Sequence, residues 1–131
     1  MITEDQKVKF VVIGSGHIGK RHAVMAQRNE EAELMAMVDI KPESELGLED
    51  FDVPFFNSIE ELLKSGVEFD VASVCTPNGL HAEQSILLLG ANKHVVCEKP
   101  MGLSKDNCER VIFKALQMSK HVFCVMQNRY S

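Results

Sequence analysis

Residues 8–13, with the sequence VKFVVI, lead directly into Gly14-Ser-Gly16-His-Ile-Gly19. The first segment is short, apolar almost throughout and rich in β-branched residues, which is typical of a strand buried on both faces of a parallel sheet. The second is a Gly-x-Gly-x-x-Gly motif, and a helix is expected after it over residues 17–29. A glycine-rich turn in this context is typical of a pyrophosphate site, although a turn that holds no ligand can have the same spacing.

The rest of the chain continues this alternation of strands and helices. Further strands are predicted at residues 32–39, 54–56, 69–75, 94–97 and 121–126, and helices at residues 58–65, 80–89 and 104–119. An acidic connection over residues 40–53 is expected to be a solvated loop or a short helix. Ser58 and Glu61 form a capping-box pattern, in which each side chain accepts a hydrogen bond from the other residue's amide.

Alternating strands and helices predict right-handed βαβ crossovers and therefore a single α/β domain with a doubly wound parallel sheet. Such sheets bind ligands at the carboxyl ends of their strands. The candidate site residues are therefore sought directly after each predicted strand.

The composition is that of an ordinary globular domain. The 131 residues fit one domain, and 14 Lys and Arg against 19 Asp and Glu give a net charge of −5. An acidic chain without a basic run is unlike a nucleic-acid-binding protein, and no apolar run approaches the ~20 residues of a membrane span. The first residues lack a signal-peptide layout. Cys75, Cys97, Cys108 and Cys124 form no Cys-x-x-Cys pair, so we expect reduced core thiols in a cytoplasmic protein without a metal site.

Each glycine of the motif has its own predicted role in binding a dinucleotide. Gly14 allows the tight turn after the strand, Gly16 lets the backbone approach the pyrophosphate, and Gly19 lets the helix pack closely on the strand. The amino end of the helix attracts an anion by roughly 0.3–1 kcal/mol. His17 is expected beside the pyrophosphate.

Asp39 ends the second predicted strand, where a carboxylate can accept hydrogen bonds from the ribose diol of an adenosine. A 2′-phosphate would bring like charge against it, at a cost of about 1 kcal/mol per unit pair at 4 Å in water and about 4 at an effective dielectric of 20. Asp39 therefore predicts NAD as the preferred cofactor over NADP. Lys41 could soften the preference, and an aspartate that merely begins a loop is the simpler alternative.

Two further polar segments follow predicted strands. Thr76-Pro77-Asn78, with His81 beyond it, either faces the cleft or forms an ordinary turn at the start of a helix. Glu98-Lys99-Pro100 follows the next strand. Hydride removal from an alcohol carbon requires the hydroxyl proton to leave, and a lysine beside the cleft can accept it. Without further information, a surface lysine before a turn is the simpler interpretation of Lys99.

In this order and at these spacings, the four motifs resemble the N-terminal half of the Gfo/Idh/MocA oxidoreductases (glucose–fructose oxidoreductase, inositol dehydrogenase and relatives). The resemblance covers the whole chain and implies an NAD-dependent sugar dehydrogenase with Lys99 as its catalytic residue, near the nicotinamide and the reacting carbon. The cofactor-binding residues that it implies are Gly14, Gly16, His17, Ile18, Gly19, Asp39, Thr76, Pro77, Asn78, His81, Glu98, Lys99 and Asn128.

The end of the chain carries a finer resemblance. Residues 127–130, QNRY, are similar to the segment that enters the second domain of the WlbA/WbpB-type dehydrogenases, which oxidise a UDP-N-acetylglucosaminuronate for lipopolysaccharide sugars. The family also carries a second domain, which binds the sugar or nucleotide-sugar substrate and usually forms the homo-oligomer. This chain ends before that domain, so residues 1–131 are expected to bind the cofactor and to be inactive alone.

Two other classes of protein fit part of the pattern. A free-standing NAD-binding or redox-sensing module would keep the glycine motif and Asp39 without catalysis. A SAM methyltransferase also has a glycine-rich loop and an acid after its second strand, but the full Gly-x-Gly-x-x-Gly and Lys99-Pro100 disfavour it. We expect no nucleic-acid and no membrane partner.

Overall fold

The computed structural model describes residues 7–98 and 104–125. Within these ranges the strands are β1 (Val8–Ile13), β2 (Ala32–Val38), β3 (Phe55–Phe56), β4 (Val71–Val74), β5 (His94–Glu98) and β6 (Val122–Val125). The α-helices are α1 (His17–Arg28), α2 (Ile59–Lys64), α3 (His81–Gly90) and α4 (Lys105–Met118), with short 3₁₀ segments at Glu43–Glu45 and Asn78–Leu80. None of these helices is long and apolar enough to cross a membrane.

The strands form one six-stranded sheet in the order β3-β2-β1-β4-β5-β6, and every neighbouring pair is parallel. The predicted doubly wound parallel sheet is confirmed. The strand order reverses direction between β1 and β4, which is the switch point where such sheets form a ligand crevice.

Two apolar cores lie on opposite faces of the sheet, and β1 contributes to both. Its Val11 and Ile13 pack with α2, α3 and α4, whereas Val12 packs with α1 on the other face. The long β2–β3 connection has no α-helix, and Leu46 and Leu48 from it pack beside α1. The continuous apolar sequence of β1 follows from this burial on both faces.

The predicted helix starts are mostly confirmed. The Ser104 Oγ caps α4 by accepting a hydrogen bond from the Asn107 amide at 3.1 Å, and the Ser58 Oγ caps α2 by accepting from the Glu61 amide at 3.0 Å. The reciprocal half of the capping box was wrong, because the Glu61 carboxylate accepts from the amide of Asn57, at 3.1 Å, rather than from Ser58.

The predicted burial of the cysteines was wrong for one of the four. No disulfide forms; Cys97 is buried, Cys75 and Cys108 are partly buried, and Cys124 is exposed. The run containing Cys124 is apolar enough for a buried strand, but β6 is the last strand of the described sheet. An edge position leaves part of its surface uncovered, and Phe123 beside it is 57% exposed.

Candidate functional site

The turn after β1 brings the glycine motif against the end of β4. Gly14 has a φ of +90°, a left-handed conformation that favours glycine, and its amide donates to the Val38 carbonyl at 2.7 Å. A Cβ at Gly14 would lie 2.9 Å from both the carbonyl carbon of Cys75 and the Cγ2 of Thr76. The sequence therefore needs glycine here for both conformation and space, as the tight-turn prediction requires.

The other two glycines of the motif differ sharply in their surroundings. A Cβ on Gly19 would lie 1.8 Å from the carbonyl oxygen of Gly14, so α1 packs directly on the turn. A Cβ on Gly16 would meet no atom of residues 7–98 and 104–125 within 4 Å. Gly19 is thus required by packing inside the protein, whereas the backbone at Gly16 borders open space at the amino end of α1.

Asp39 lies at the end of β2 with both carboxylate oxygens accepting backbone hydrogen bonds. The Ser15 amide donates to Oδ2 at 2.8 Å, and the Lys41 amide donates to Oδ1 at 3.0 Å. The side chain is half-buried. Because a carboxylate oxygen has more than one acceptor direction, these two bonds leave capacity for the hydroxyls of a ribose.

Ser15, between the first two glycines, was not singled out by the sequence motif. It is fully buried, and its hydroxyl donates to the Val38 carbonyl at 3.0 Å. With the Ser15 amide bonded to Asp39, this residue joins the glycine turn to the end of β2 through two separate bonds. The turn and the acid are thereby held as one unit.

The Thr76-Pro77 segment closes the opposite side of the crevice. The Thr76 hydroxyl donates to the Gln84 side chain, and an Nε2 of His81 lies 2.6 Å from the Thr76 carbonyl oxygen. His81 was predicted to line the cofactor site, but its side chain is 0% exposed. Since α3 packs on the sheet with this ring inward, we assign His81 to the support of Thr76 rather than to direct cofactor contact.

These segments enclose a cleft of about 310 Å³ at the carboxyl edge of the sheet. Its walls come from the turns after β1, β2 and β4 and from the start of α2. Among the residues that line it are Gly14, Gly16, Asp39, Ile40, Lys41, Asn57, Ser58, Thr76, Pro77, Leu80 and Gln84. The sequence predicted five of these eleven as site residues and named Lys41 only for its effect on the cofactor preference. It missed the other five as cleft residues, namely Ile40, Asn57, Ser58, Leu80 and Gln84.

The remaining predicted site residues fall into two groups. His17 is exposed at the first position of α1, and Ile18 beside it is half-buried, so both lie next to the glycine turn without lining the cleft. Lys99 and Asn128 lie outside the described residues, as do the side chains of Asn78 and Glu98. The backbone of β5 ends at Glu98, so Lys99 follows the same sheet edge in sequence.

A helix that starts directly after a glycine turn and a carboxylate at the end of the second strand are features of a dinucleotide site in a doubly wound sheet. The structure therefore defines a dinucleotide-binding domain of the Rossmann type. Residues 8–125 match the family model described as "Oxidoreductase family, NAD-binding Rossmann fold", GFO_IDH_MocA. The chain belongs to the Gfo/Idh/MocA oxidoreductase family, and its cofactor is NAD.

Curated relatives and solved structures agree with this family. The chain is 35% identical over 115 residues to glucose-6-phosphate 3-dehydrogenase of Bacillus subtilis, covering 82% of this chain and 32% of that protein. It is 30% identical over 110 residues to the scyllo-inositol 2-dehydrogenase (NADP(+)) IolU of the same organism, covering 82% and 33%. The WlbA dehydrogenase of Chromobacterium violaceum, solved with NADH and UDP-GlcNAcA, superposes with a TM-score of 0.86 at 30% identity, covering 98% of this chain and 38% of that one.

The chain thus spans about a third of the length of the relatives it matches. What the relatives share with it is the cofactor-binding part. Their names include an NADP-dependent enzyme, so the family does not by itself decide between the two dinucleotides in a given member.

Proposed function

We propose that this domain is the cofactor-binding part of an enzyme that transfers a hydride between NAD and a hydroxyl-bearing carbon of a sugar. The observation that carries the proposal is the cleft between the turns after β1 and β4, with Asp39 in its wall. The substrate class is supported by relatives that act, by their names, on a sugar phosphate and an inositol.

The cofactor would lie with its pyrophosphate over the backbone of Gly16, at the amino end of the 12-residue helix α1. A side chain at Gly16 would project into the space that the phosphates need, which none of the described residues fills within 4 Å of a Cβ at that position. Backbone amides and the helix dipole then hold the phosphates without a basic side chain, which fits a domain of net charge −5.

Two apolar side chains in the cleft wall suit the adenine ring. Ile40 is 85% exposed and Leu80 is 42% exposed, which is unusual for large aliphatic residues that line a concave site. Covering them with a flat aromatic ring would remove apolar surface from water at about 25 cal/mol per Å². These two side chains would give the adenosine half of NAD an apolar contact in the same cleft as Asp39.

Lys99 is proposed as the proton-transfer residue. It directly follows β5, whose carboxyl end lies at the same sheet edge as the cleft. NAD supplies hydride acceptance when bound, and the lysine would take the proton that the substrate hydroxyl must lose.

A nucleotide sugar is the substrate that we favour within the sugar class. Residues 127–130, QNRY, are the segment that the sequence relates to the nucleotide-sugar branch, and the WlbA dehydrogenase with UDP-GlcNAcA superposes well on this chain. Because the chain spans about a third of that enzyme, we place the sugar-binding residues and the oligomer contacts in a further domain.

The test uses the full-length product of the gene with the substitution Lys99→Met. Loss of a general base is expected to lower kcat by roughly 10²–10⁴-fold while NAD affinity stays almost unchanged. Methionine keeps the apolar stem, so lost packing does not explain such an effect. The assay follows NADH absorbance with UDP-N-acetylglucosaminuronate, glucose 6-phosphate and inositol as candidate substrates.

The 131-residue chain is the matched control, and it is expected to bind NAD without sugar-dependent NADH formation. Near-normal turnover by Lys99→Met would return that residue to a surface role. Tight NAD binding without turnover on any sugar by the full-length protein would favour a cofactor-binding module. Calorimetric binding of SAM in place of NAD would overturn the proposed function.

A further inference from the structure

Residues 39–41, here named the selector turn, follow β2 and present Asp39 and Lys41 to the cleft. The turn is closed internally by the hydrogen bond from the Lys41 amide to Asp39 Oδ1 at 3.0 Å. It contains two groups of opposite preference: a carboxylate that suits a ribose diol and an ammonium that suits a 2′-phosphate. Which group reaches the ribose depends on how firmly the turn is held.

Asn57 holds the selector turn from outside. Its Nδ2 donates to the carbonyl oxygen of Asp39 at 3.0 Å and to that of Lys41 at 3.3 Å, so one amide spans the turn. No other described side chain donates to these two carbonyls in the hydrogen bonds that the structure gives. The parallel pairing of β3 with β2, Met37 opposite Phe55 and Val38 opposite Phe56, carries Asn57 to this place.

Asn57 is itself fixed by the start of α2. The backbone amide of Asn57 donates to Glu61 Oε1 at 3.1 Å. The next residue, Ser58, caps the same helix, because its Oγ accepts a hydrogen bond from the backbone amide of Glu61. Asn57 therefore belongs to a helix start that two hydrogen bonds hold in place independently of the selector turn. A fixed donor bonded to two carbonyls resists rotation of the peptides between them.

We propose that Asn57 is a positioning residue for cofactor selection, which it exerts by holding the selector turn so that Asp39 faces the ribose and the Lys41 backbone stays in place. This inference rests on the proposed NAD function of the cleft. Without the amide, the carbonyls of Asp39 and Lys41 turn to solvent. The flexible lysine stem then reaches toward a 2′-phosphate, and the carboxylate is held only from the glycine turn and from its own turn.

The experiment measures the dissociation constants of NAD and NADP by calorimetry at low salt for the wild-type chain and for Asn57→Ala. The ratio of the NADP constant to the NAD constant is expected to fall about three- to tenfold in Asn57→Ala, in keeping with the loss of one or two hydrogen bonds. Asn57→Leu, which keeps the side-chain size and is neutral but has no donor, is expected to act in the same way and serves if the alanine variant does not fold.

The matched control is Asn29→Ala. Asn29 is also exposed, and its Oδ1 also bonds to backbone, accepting from the Glu31 amide at 2.8 Å, but it lies before β2 at the other edge of the sheet. A general loss of order would lower thermal stability in both variants, whereas only the Asn57 variants are expected to change the cofactor ratio.

A coupled variant separates positioning from mere stability. In an Asp39→Ser background the carboxylate that the turn presents is gone and only the freed Lys41 can still act, so adding Asn57→Ala is expected to lower the cofactor ratio by less than it does in the wild-type chain. An unaltered ratio in both single Asn57 variants, with NAD still bound, would overturn this inference and leave the proposed function standing. Failure of the wild-type chain to bind either dinucleotide would overturn the proposed function and this inference with it.

Discussion

The two edges of the parallel sheet use polar groups in different ways. At the amino edge, polar groups join neighbouring strands directly: the Lys9 amide donates to Asp70 at 2.9 Å, and the His121 amide donates to His94 Nδ1 at 3.0 Å. The Lys93 ammonium donates to the Phe69 carbonyl at 2.9 Å and lies over the Phe69 ring. These contacts link β1 to β4, β5 to β6 and the approach to β4 to the approach to β5.

At the carboxyl edge, the polar groups surround a space instead of filling it. The Gly14 amide and the Ser15 hydroxyl donate to the Val38 carbonyl, and the Ser15 amide donates to the Asp39 carboxylate. A Cβ on Gly16 would meet no atom of the described residues within 4 Å. The comparison shows that charged and aromatic side chains alone do not indicate a site, because the amino edge is richer in them. The functional edge is distinguished by a glycine-containing turn whose backbone leaves space for a ligand.

The largest effect is expected on stability, from a side chain added between α1 and the glycine turn at the carboxyl edge. Gly19→Ala places a Cβ 1.8 Å from the Gly14 carbonyl oxygen if nothing moves. The helix must then shift, and we expect the free energy of unfolding to fall by about 2–3 kcal/mol. Urea denaturation followed by circular dichroism measures this loss. Gly16→Ala is the matched control and is expected to unfold at the wild-type urea concentration; equal stability of the two variants would contradict the packing role of Gly19.

Adding a side chain in the space where the ligand is proposed to bind is expected to affect NAD binding and not stability. Gly16→Val adds a side chain whose Cβ has no atom of the described part of the chain within 4 Å, so folding is expected to be unchanged. NAD binding is expected to be largely abolished, because the added side chain occupies the approach to the pyrophosphate. Calorimetry with NAD, together with an unfolding curve, separates the two properties. A stable variant that binds NAD normally would remove the pyrophosphate from this turn.

Changing the charge at the carboxyl edge is expected to have a moderate effect. The wild-type chain is expected to bind NAD at least about tenfold more tightly than NADP, because the Asp39 carboxylate repels a 2′-phosphate. Asp39→Ser removes that repulsion and is expected to reduce the difference between the affinities for NAD and NADP. Titrations with both dinucleotides at low and high salt measure it, since screening weakens the repulsion. Equal affinities for the wild-type chain at low salt would contradict the role of Asp39.

The smallest effect is expected at the amino edge. Burial lowers the pKa of His94 below its usual 6.5, with further lowering by Lys120 and His121 and an opposing effect of Asp70. The unfolded chain therefore takes up a proton near pH 6.5, whereas the folded chain takes it up only at lower pH, so stability falls as pH drops through that window. Melting temperatures between pH 7.5 and about 5 measure the slope.

His94→Asn supplies the control for this slope. An asparagine oxygen can replace Nδ1 as acceptor for the His121 amide, and it does not titrate. The variant is expected to lose less stability on acidification than the wild-type chain. If both chains show the same slope, His94 does not contribute to the pH dependence.

The sequence predicted the features that depend on local spacing. The strand before Gly14, the helix after it and the position of Asp39 all follow from patterns within a short stretch of chain, and the structure agrees with them. The sheet type followed from the alternation of elements. The position of β6 at the edge of the described sheet did not follow, because the apolar run of an edge strand resembles that of a buried one, and Cys124 was therefore misplaced.

The residues that the sequence missed are those brought together by tertiary packing. Asn57 reaches the selector turn only because β3 pairs with β2. Leu80 and Ile40 line the same cleft only because β1 pairs with both β2 and β4. His81 shows the converse. Its spacing from Thr76 indicated a place near the site, but spacing does not say whether a ring on α3 points into the cleft or into the core.

The hydrogen bond between the Ser15 amide and the Asp39 carboxylate makes one side chain responsible for two properties: the choice between NAD and NADP, and the position of the glycine turn. Replacing Asp39 to admit NADP also removes a hydrogen bond that holds the glycine turn. The same substitution is therefore expected to lower the affinity for either dinucleotide. A successful switch would have to restore that hydrogen bond with a neutral acceptor at position 39 or at a neighbouring position. Because the donor is the backbone amide of residue 15, which any residue except proline supplies, the compensating change is expected on the acceptor side and not at Ser15 itself.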